Sequence, residues 1–115
     1  MSKSIEKVFG VYGEHYSIYN YDNEQEISCD QFHICYEEIE DEFCVKDSHV
    51  CGDYYFVFDT QEDLDLYKEW KKNDNELEIG FTNGLWSLDH CKSEKDAQKV
   101  LLDHIAKQDF AIMEI

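Results

Sequence analysis

The residues in this sequence best suited to chemistry are its histidines and cysteines. His33-Ile34-Cys35 and His49-Val50-Cys51 repeat a His-x-Cys pattern, and Cys29, Cys44 and the adjacent His90-Cys91 add further ligand types. Zinc takes four nitrogen or sulfur ligands in a tetrahedron. Residues two apart share a face on a strand, so His33, Cys35, His49 and Cys51 could close such a site there; on a helix the same spacing points apart. The pattern is not the Cys-x-x-Cys knuckle of common zinc modules, and a free cysteine is usually a small buried hydrophobe. A metal site is therefore the alternative reading of these residues, and no cofactor is expected. A Cys–His nucleophile has the same slender basis.

Other catalytic signatures are missing. The five glycines are scattered, so no phosphate-cradling loop forms, and no Gly-x-Ser-x-Gly elbow occurs. Asp22-Asn23-Glu24-Gln25-Glu26 lacks the glycine that an EF-hand loop requires. Paired carboxylates abound, but their abundance removes specificity, because acid–base catalysis needs a pocket that shifts a pKa. The chain is read as a binding protein, not an enzyme.

The carboxylates themselves are the strongest signal. Of 115 residues, 27 are acidic and 10 basic, giving a formal charge of −17. Solubility of a small domain needs a net charge of only about 2–8, and the excess repels itself in the compact state. Every basic residue is lysine; arginine and proline are absent. Without arginine, and with this sign of charge, direct nucleic-acid binding is not expected. The acidity is also uneven: residues 8–66 hold sixteen acids and one lysine, net −15, whereas residues 67–115 hold ten acids and seven lysines, net −3. The densest run is Glu37, Glu38, Glu40, Asp41 and Glu42, beside Tyr36, with Asp47 and Asp53 following. These eight residues are the expected partner-binding set, since tyrosine near carboxylates offers apolar area with a polar tip. The expected partner is a basic protein, a nuclease or other nucleic-acid-binding effector. Its cationic channel would accept these carboxylates in place of phosphates. A phage anti-defence inhibitor fits this description, and so does an immunity protein or antitoxin against a cationic nuclease toxin.

The elements that must position these residues are those of one domain. Hydrophobic residues make up 43% and aromatics 15%, which excludes disorder as the reason for the charge. The opening Met-Ser-Lys-Ser-Ile-Glu-Lys lacks the apolar run of a signal peptide, and no segment approaches a membrane span. With five cysteines, an odd number, the expectation is a cytoplasmic chain without structural disulfides.

Ile5 to Tyr12 and His15 to Tyr21 read as a hairpin turning at Gly13-Glu14, followed by a polar loop at residues 22–26. Residues 30–43 fit both periods: Phe32, Ile34 and Tyr36 alternate, while Phe32, Tyr36, Ile39 and Phe43 fall at helical spacing. The helical match persists longer, so a helix capped by Ser28 or Asp30 is expected, with the acids on its outer side. Tyr54 to Asp59 reads as a strand. Thr60 caps a helix carrying Leu64, Tyr67 and Trp70, and Lys71-Lys72 suit its C-terminal end. Leu77 to Leu88 reads as a hairpin turning at Asn83-Gly84, with Trp86, like Trp70, in the core. Ser93 caps a last helix through Ile105, and Phe110 to Ile115 is a closing strand. The sum is an α+β domain, a mainly antiparallel sheet with two or three helices packed on it.

Overall fold

A computed structural model describes residues 6–41 and 44–114. The chain folds as β1 (Glu6–Asn20), β2 (Gln25–Asp41), β3 (Cys44–Phe58), α1 (Gln61–Lys72), β4 (Leu77–Cys91), α2 (Glu94–Ile105) and β5 (Ala111–Glu114). All five strands join one antiparallel sheet in the order β4-β1-β2-β3-β5. The α+β architecture expected from the sequence is present, with two helices. No helix among the described residues is long and apolar enough to cross a membrane.

Three expected turns and helices are instead continuous strand. β1 does not turn at Gly13-Glu14; it runs straight through and pairs with β2 without a register shift, from Glu6↔Ile39 to Asn20↔Gln25. The chain reverses at residues 21–24, where Glu24 takes a positive φ of 55°. Gly13 marks a close approach: a Cβ there would lie 2.6 Å from the Trp86 ring and 2.7 Å from the Phe32 ring.

Residues 30–41 are strand, not helix. Between β1 and β3 this segment satisfies its backbone on both sides, and long-range pairing overrides its local helical period.

Asn83-Gly84 likewise makes no hairpin. In the β1–β4 ladder Glu14 pairs with Leu85 and His15 with Asn83, leaving Gly84 as an extra residue in a bulge. Two further bulges fall at Leu88 and Thr82, each of which adds twist. Trp86 is 37% exposed and so lies at the surface, against Phe32, not in the core.

The pleat sorts the sheet into two faces. Val11, Phe32, Ile34 and Val57 cluster with Ala97 and Leu101 of α2. Ile18, Ile27, Cys29, Phe56 and Phe58, at the alternate positions, cluster with Leu64, Tyr67 and Trp70 of α1. The helices therefore cover opposite faces. Each begins at the cap expected from the sequence: Thr60 accepts from the Asp63 N–H and Ser93 from the Asp96 N–H, both at 3.1 Å.

At the turn end, fully buried Asn20 donates to Asn75 Oδ1 at 3.1 Å and accepts from the Asp22 N–H at 2.9 Å. This ties the β1–β2 turn to the loop after α1. The strands, fifteen to seventeen residues in β1–β4, set the long axis of a body measuring 60 × 26 × 21 Å.

Trp70→Ala should cost about 3–5 kcal/mol of unfolding free energy by chemical denaturation, whereas Trp86→Ala should cost far less. Gly13→Ala should cost about 1–3 kcal/mol, because the Trp86 and Phe32 rings must shift.

Candidate functional site

Each helix covers only part of its face, and the two covered areas lie toward opposite ends of the sheet. Two open half-faces remain, and both are built from tyrosines and carboxylates.

The first lies on the α1 side, beyond the helix. Glu14 and Tyr16 of β1, Gln31, His33 and Cys35 of β2, and Val50 and Tyr54 of β3 line a cleft of about 470 Å³. Tyr16 donates its hydroxyl hydrogen to Glu14 Oε2. His33 is 4% exposed, and its Nδ1 finds no hydrogen-bond partner among the described residues. Burial lowers the His33 pKa below the ordinary 6.5, and the Glu14 charge opposes that shift.

Farther along the same face Tyr12 donates to Glu37 Oε1 at 2.7 Å, and its oxygen lies 2.9 Å from His90 Nε2, placed to accept from that ring. Glu37 is 9% exposed. Burial first, then the Glu37 hydrogen bond and charge, raise the Tyr12 pKa well above its usual 10, so it remains a donor.

The second half-face lies on the α2 side, near the β1–β2 turn. Tyr19, Tyr21, Glu26, Glu78 and Ile79 line a cleft of about 500 Å³. Tyr21 donates to Glu78 Oε2 at 2.6 Å, and its ring meets that of Tyr19 edge-on at 4.9 Å. Tyr36 and Tyr67 repeat the arrangement toward Glu38 at 3.0 Å and Glu114 at 2.7 Å. Phenol hydroxyls thus do what arginine would do elsewhere, without adding positive charge. The lysine–carboxylate pair among the described residues is Lys71–Glu114, at 3.8 Å.

Of the residues expected to bind a partner, the described ones do not all share a face. Tyr36 and Glu38 occupy the α2 side of β2, and Tyr36 packs on Phe9 at 5.2 Å between ring centroids. Glu37 points to the opposite face, where it is nearly buried and held by Tyr12, so it is an internal acceptor and not an exposed contact. A helix would have kept these acids together; the pleat separates them. Glu40 and Asp41 extend β2, and Asp47 stands across from Glu38 in the ladder. The side chains of those three, and Glu42 altogether, lie outside the described residues. Asp53 is exposed, beside Gly52 with its φ of 72°.

Of the four candidate metal ligands, the side chains of His49 and Cys51 lie outside the described residues, and the ladder gives only their register. Cys51 stands across from Ile34 and His49 across from Tyr36, whereas His33 and Cys35 occupy the alternate positions of β2. Among the described residues no three His, Cys, Asp or Glu side chains could hold an ion together. Cys29 is sealed in the core, where burial pushes its thiol up to about 12.

No family model, curated protein or solved structure matches this chain. The geometry of the half-faces is what bears on function. Sequence reasoning missed Tyr12, Glu14, Glu26, Glu78 and His90 as members of these surfaces. One signal was present: Tyr12, Glu14 and Tyr16 alternate with Val11, Gly13 and His15, the period of a strand with one polar aromatic face.

Tyr12→Phe should destabilise the fold by about 1–3 kcal/mol, since the buried Glu37 carboxylate loses its donor. For His33, the lowered folded-state pKa means that the unfolded chain binds the proton more readily. Its contribution is present above about pH 6.5 and lost as pH falls below that value. His33→Gln should therefore reduce the loss of unfolding free energy between about pH 7 and pH 5. His104, lowered by burial and by Lys107, should supply a remaining slope.

Proposed function

We propose that this chain is an acidic antagonist that occupies the cationic nucleic-acid channel of a nuclease or related effector. The observation that carries the reading is the net charge borne by an elongated body. Seventeen net negative charges over a 60 Å long axis average about one per 3.5 Å, roughly half the density of a duplex, which carries about one phosphate per 1.7 Å with both strands counted. The 26 × 21 Å cross-section is close to that of a duplex. Carboxylates on both faces, not one flank, suit a partner that wraps its substrate. The working groups are Glu14 on one half-face, Glu26 and Glu78 on the other, Glu38 farther along β2 and exposed Asp53 on β3. An inhibitor deployed by a phage against a host defence nuclease has these requirements. An immunity protein that plugs a nuclease toxin has the same ones, and both act in a cytosol.

In this reading the protein has no substrate and no resident cofactor. Its carboxylates replace phosphate oxygens as acceptors for the partner's lysines and arginines, and the partner's positive potential accelerates encounter. The rigid sheet keeps the acceptors in place before contact, which limits the ordering cost of association.

The test uses a partner recovered by affinity capture from the native host. Duplex DNA should compete with this chain for that partner, and affinity should fall on the order of tenfold or more between low and physiological salt. Glu26→Lys combined with Glu78→Lys should weaken binding at least about tenfold, and Glu94→Lys with Asp96→Lys far less. A partner that holds DNA and this chain at once, or whose affinity ignores salt, would sink the proposal.

A further inference from the structure

We infer that Ser87 is an acyl acceptor, a hydroxyl activated by His90 that takes up an acyl group from an ester or thioester. The inference goes beyond the antagonist reading and does not rest on it.

Three features of the sheet bring the groups together. In an unbroken strand, residues three apart point to opposite faces. In β4 the extra residue Leu88 interrupts the alternation, so Ser87 stands across from Tyr12 and His90 across from Gly10, on one face of the sheet. Bulges re-aim side chains in this way. Gly10 is the second feature. A Cβ there would collide with the Tyr12 ring, so its absence lets that ring lie along β1 toward His90 of β4 and Glu37 of β2. The third is the near-burial of Glu37, which fixes a carboxylate behind the imidazole.

The hydrogen bonds then run in one direction. Glu37 accepts the Tyr12 hydroxyl hydrogen at 2.7 Å. With that hydrogen committed, the Tyr12 oxygen can only accept from His90 Nε2, at 2.9 Å. A neutral imidazole carries one N–H. Nε2 holds it here, so Nδ1 presents its lone pair, and Ser87 Oγ lies 3.4 Å from that atom. This reach is long for a hydrogen bond, and such contacts tighten when substrate arrives. Glu37 Oε2 lies 3.8 Å from Nε2, close enough to stabilise the imidazolium that forms when Nδ1 takes a proton. A nucleophile, a base and a group that orients the base are the parts of an activated hydroxyl. Ser87 and His90 are both exposed, so an acyl donor can reach them.

In the step itself, Ser87 Oγ attacks the carbonyl carbon of the donor while its proton passes to His90 Nδ1. The bond from that carbon to the leaving oxygen or sulfur breaks, and the alcohol or thiol departs with the proton. Ser87 keeps the acyl group as an ester.

The probe is p-nitrophenyl acetate, added to the intact protein near neutral pH. Acetylation is read residue by residue by mass spectrometry, which separates Ser87 from lysines and thiols. Ser87 should be acetylated about tenfold or more faster than Ser17. His90→Gln should slow the labelling of Ser87 about tenfold or more. Acidification should slow it in the parent, as the imidazole takes a proton, but not in His90→Gln. Glu37→Gln, which can still accept from Tyr12, should slow labelling severalfold and leave the pH dependence in place. His15→Gln, outside this network, should change nothing. Each variant is first shown to keep the parent's unfolding midpoint.

Ser87 labelled no faster than Ser17, or labelled equally in the parent and in His90→Gln, would overturn the inference. So would the same loss in His15→Gln, which would mean catalysis by any surface imidazole. The readout involves neither a protein partner nor DNA, so this inference and the antagonist reading fail separately.

Discussion

The β1–β2 ladder is the constraint on which the rest of the molecule depends. From Glu6↔Ile39 to Asn20↔Gln25 the two strands pair without a slip. In a regular antiparallel pair every residue's face is then fixed, and a shift of one residue would exchange the faces completely. The ladder thus decides which aromatics reach α1, which reach α2, and which polar residues stay between them. β3 and β4 accommodate this rigid centre through their own register shifts, three of them in the β1–β4 pairing.

A sheet carrying this much negative charge must also satisfy its carboxylates. Lysine does little of that work, since Lys71–Glu114 is the lysine pair among the described residues. Tyrosine does it instead, at Glu14, Glu37, Glu38, Glu78 and Glu114. A phenol donates one hydrogen and brings an apolar ring, so each pair is satisfied locally while the net charge stays high. Burial and the neighbouring carboxylate raise the Tyr12, Tyr16 and Tyr67 pKa values, so these donors do not fail by ionising near neutral pH. The surface remains strongly negative, and among the described residues the nearly buried Glu37 carboxylate keeps its donor.

Both helices and their caps were legible in the sequence, because Thr60 and Ser93 precede clean helical periods whose apolar residues turn out to be buried. The closing strand and the polar turn after Tyr21 were legible for similar local reasons. The long strands were not. Gly13 and Asn83-Gly84 imitate turns, yet one makes room for a tryptophan and the other lies in a bulge. Residues 30–41 satisfied two periods at once because Phe32, Ile34 and Tyr36 alternate while Phe32, Tyr36 and Ile39 also fall at helical spacing, and nothing local separates the two. Reading that segment as a helix put Glu37 and Glu38 together on one outer side, whereas the pleat sends them to opposite faces. The uneven charge was legible from composition alone, but its arrangement in space required the ladder.

The two crossovers give the molecule a particular mechanical unity. The chain leaves β3, passes α1 along one face, and enters β4 at the far edge; it leaves β4, passes α2 along the other face, and ends in β5 beside β3. The sheet is belted front and back, and both belts are fastened to β4. Detaching that marginal strand would slacken both helices together. Fraying there should therefore travel through the whole domain as one cooperative event, where a simple hairpin edge would open alone.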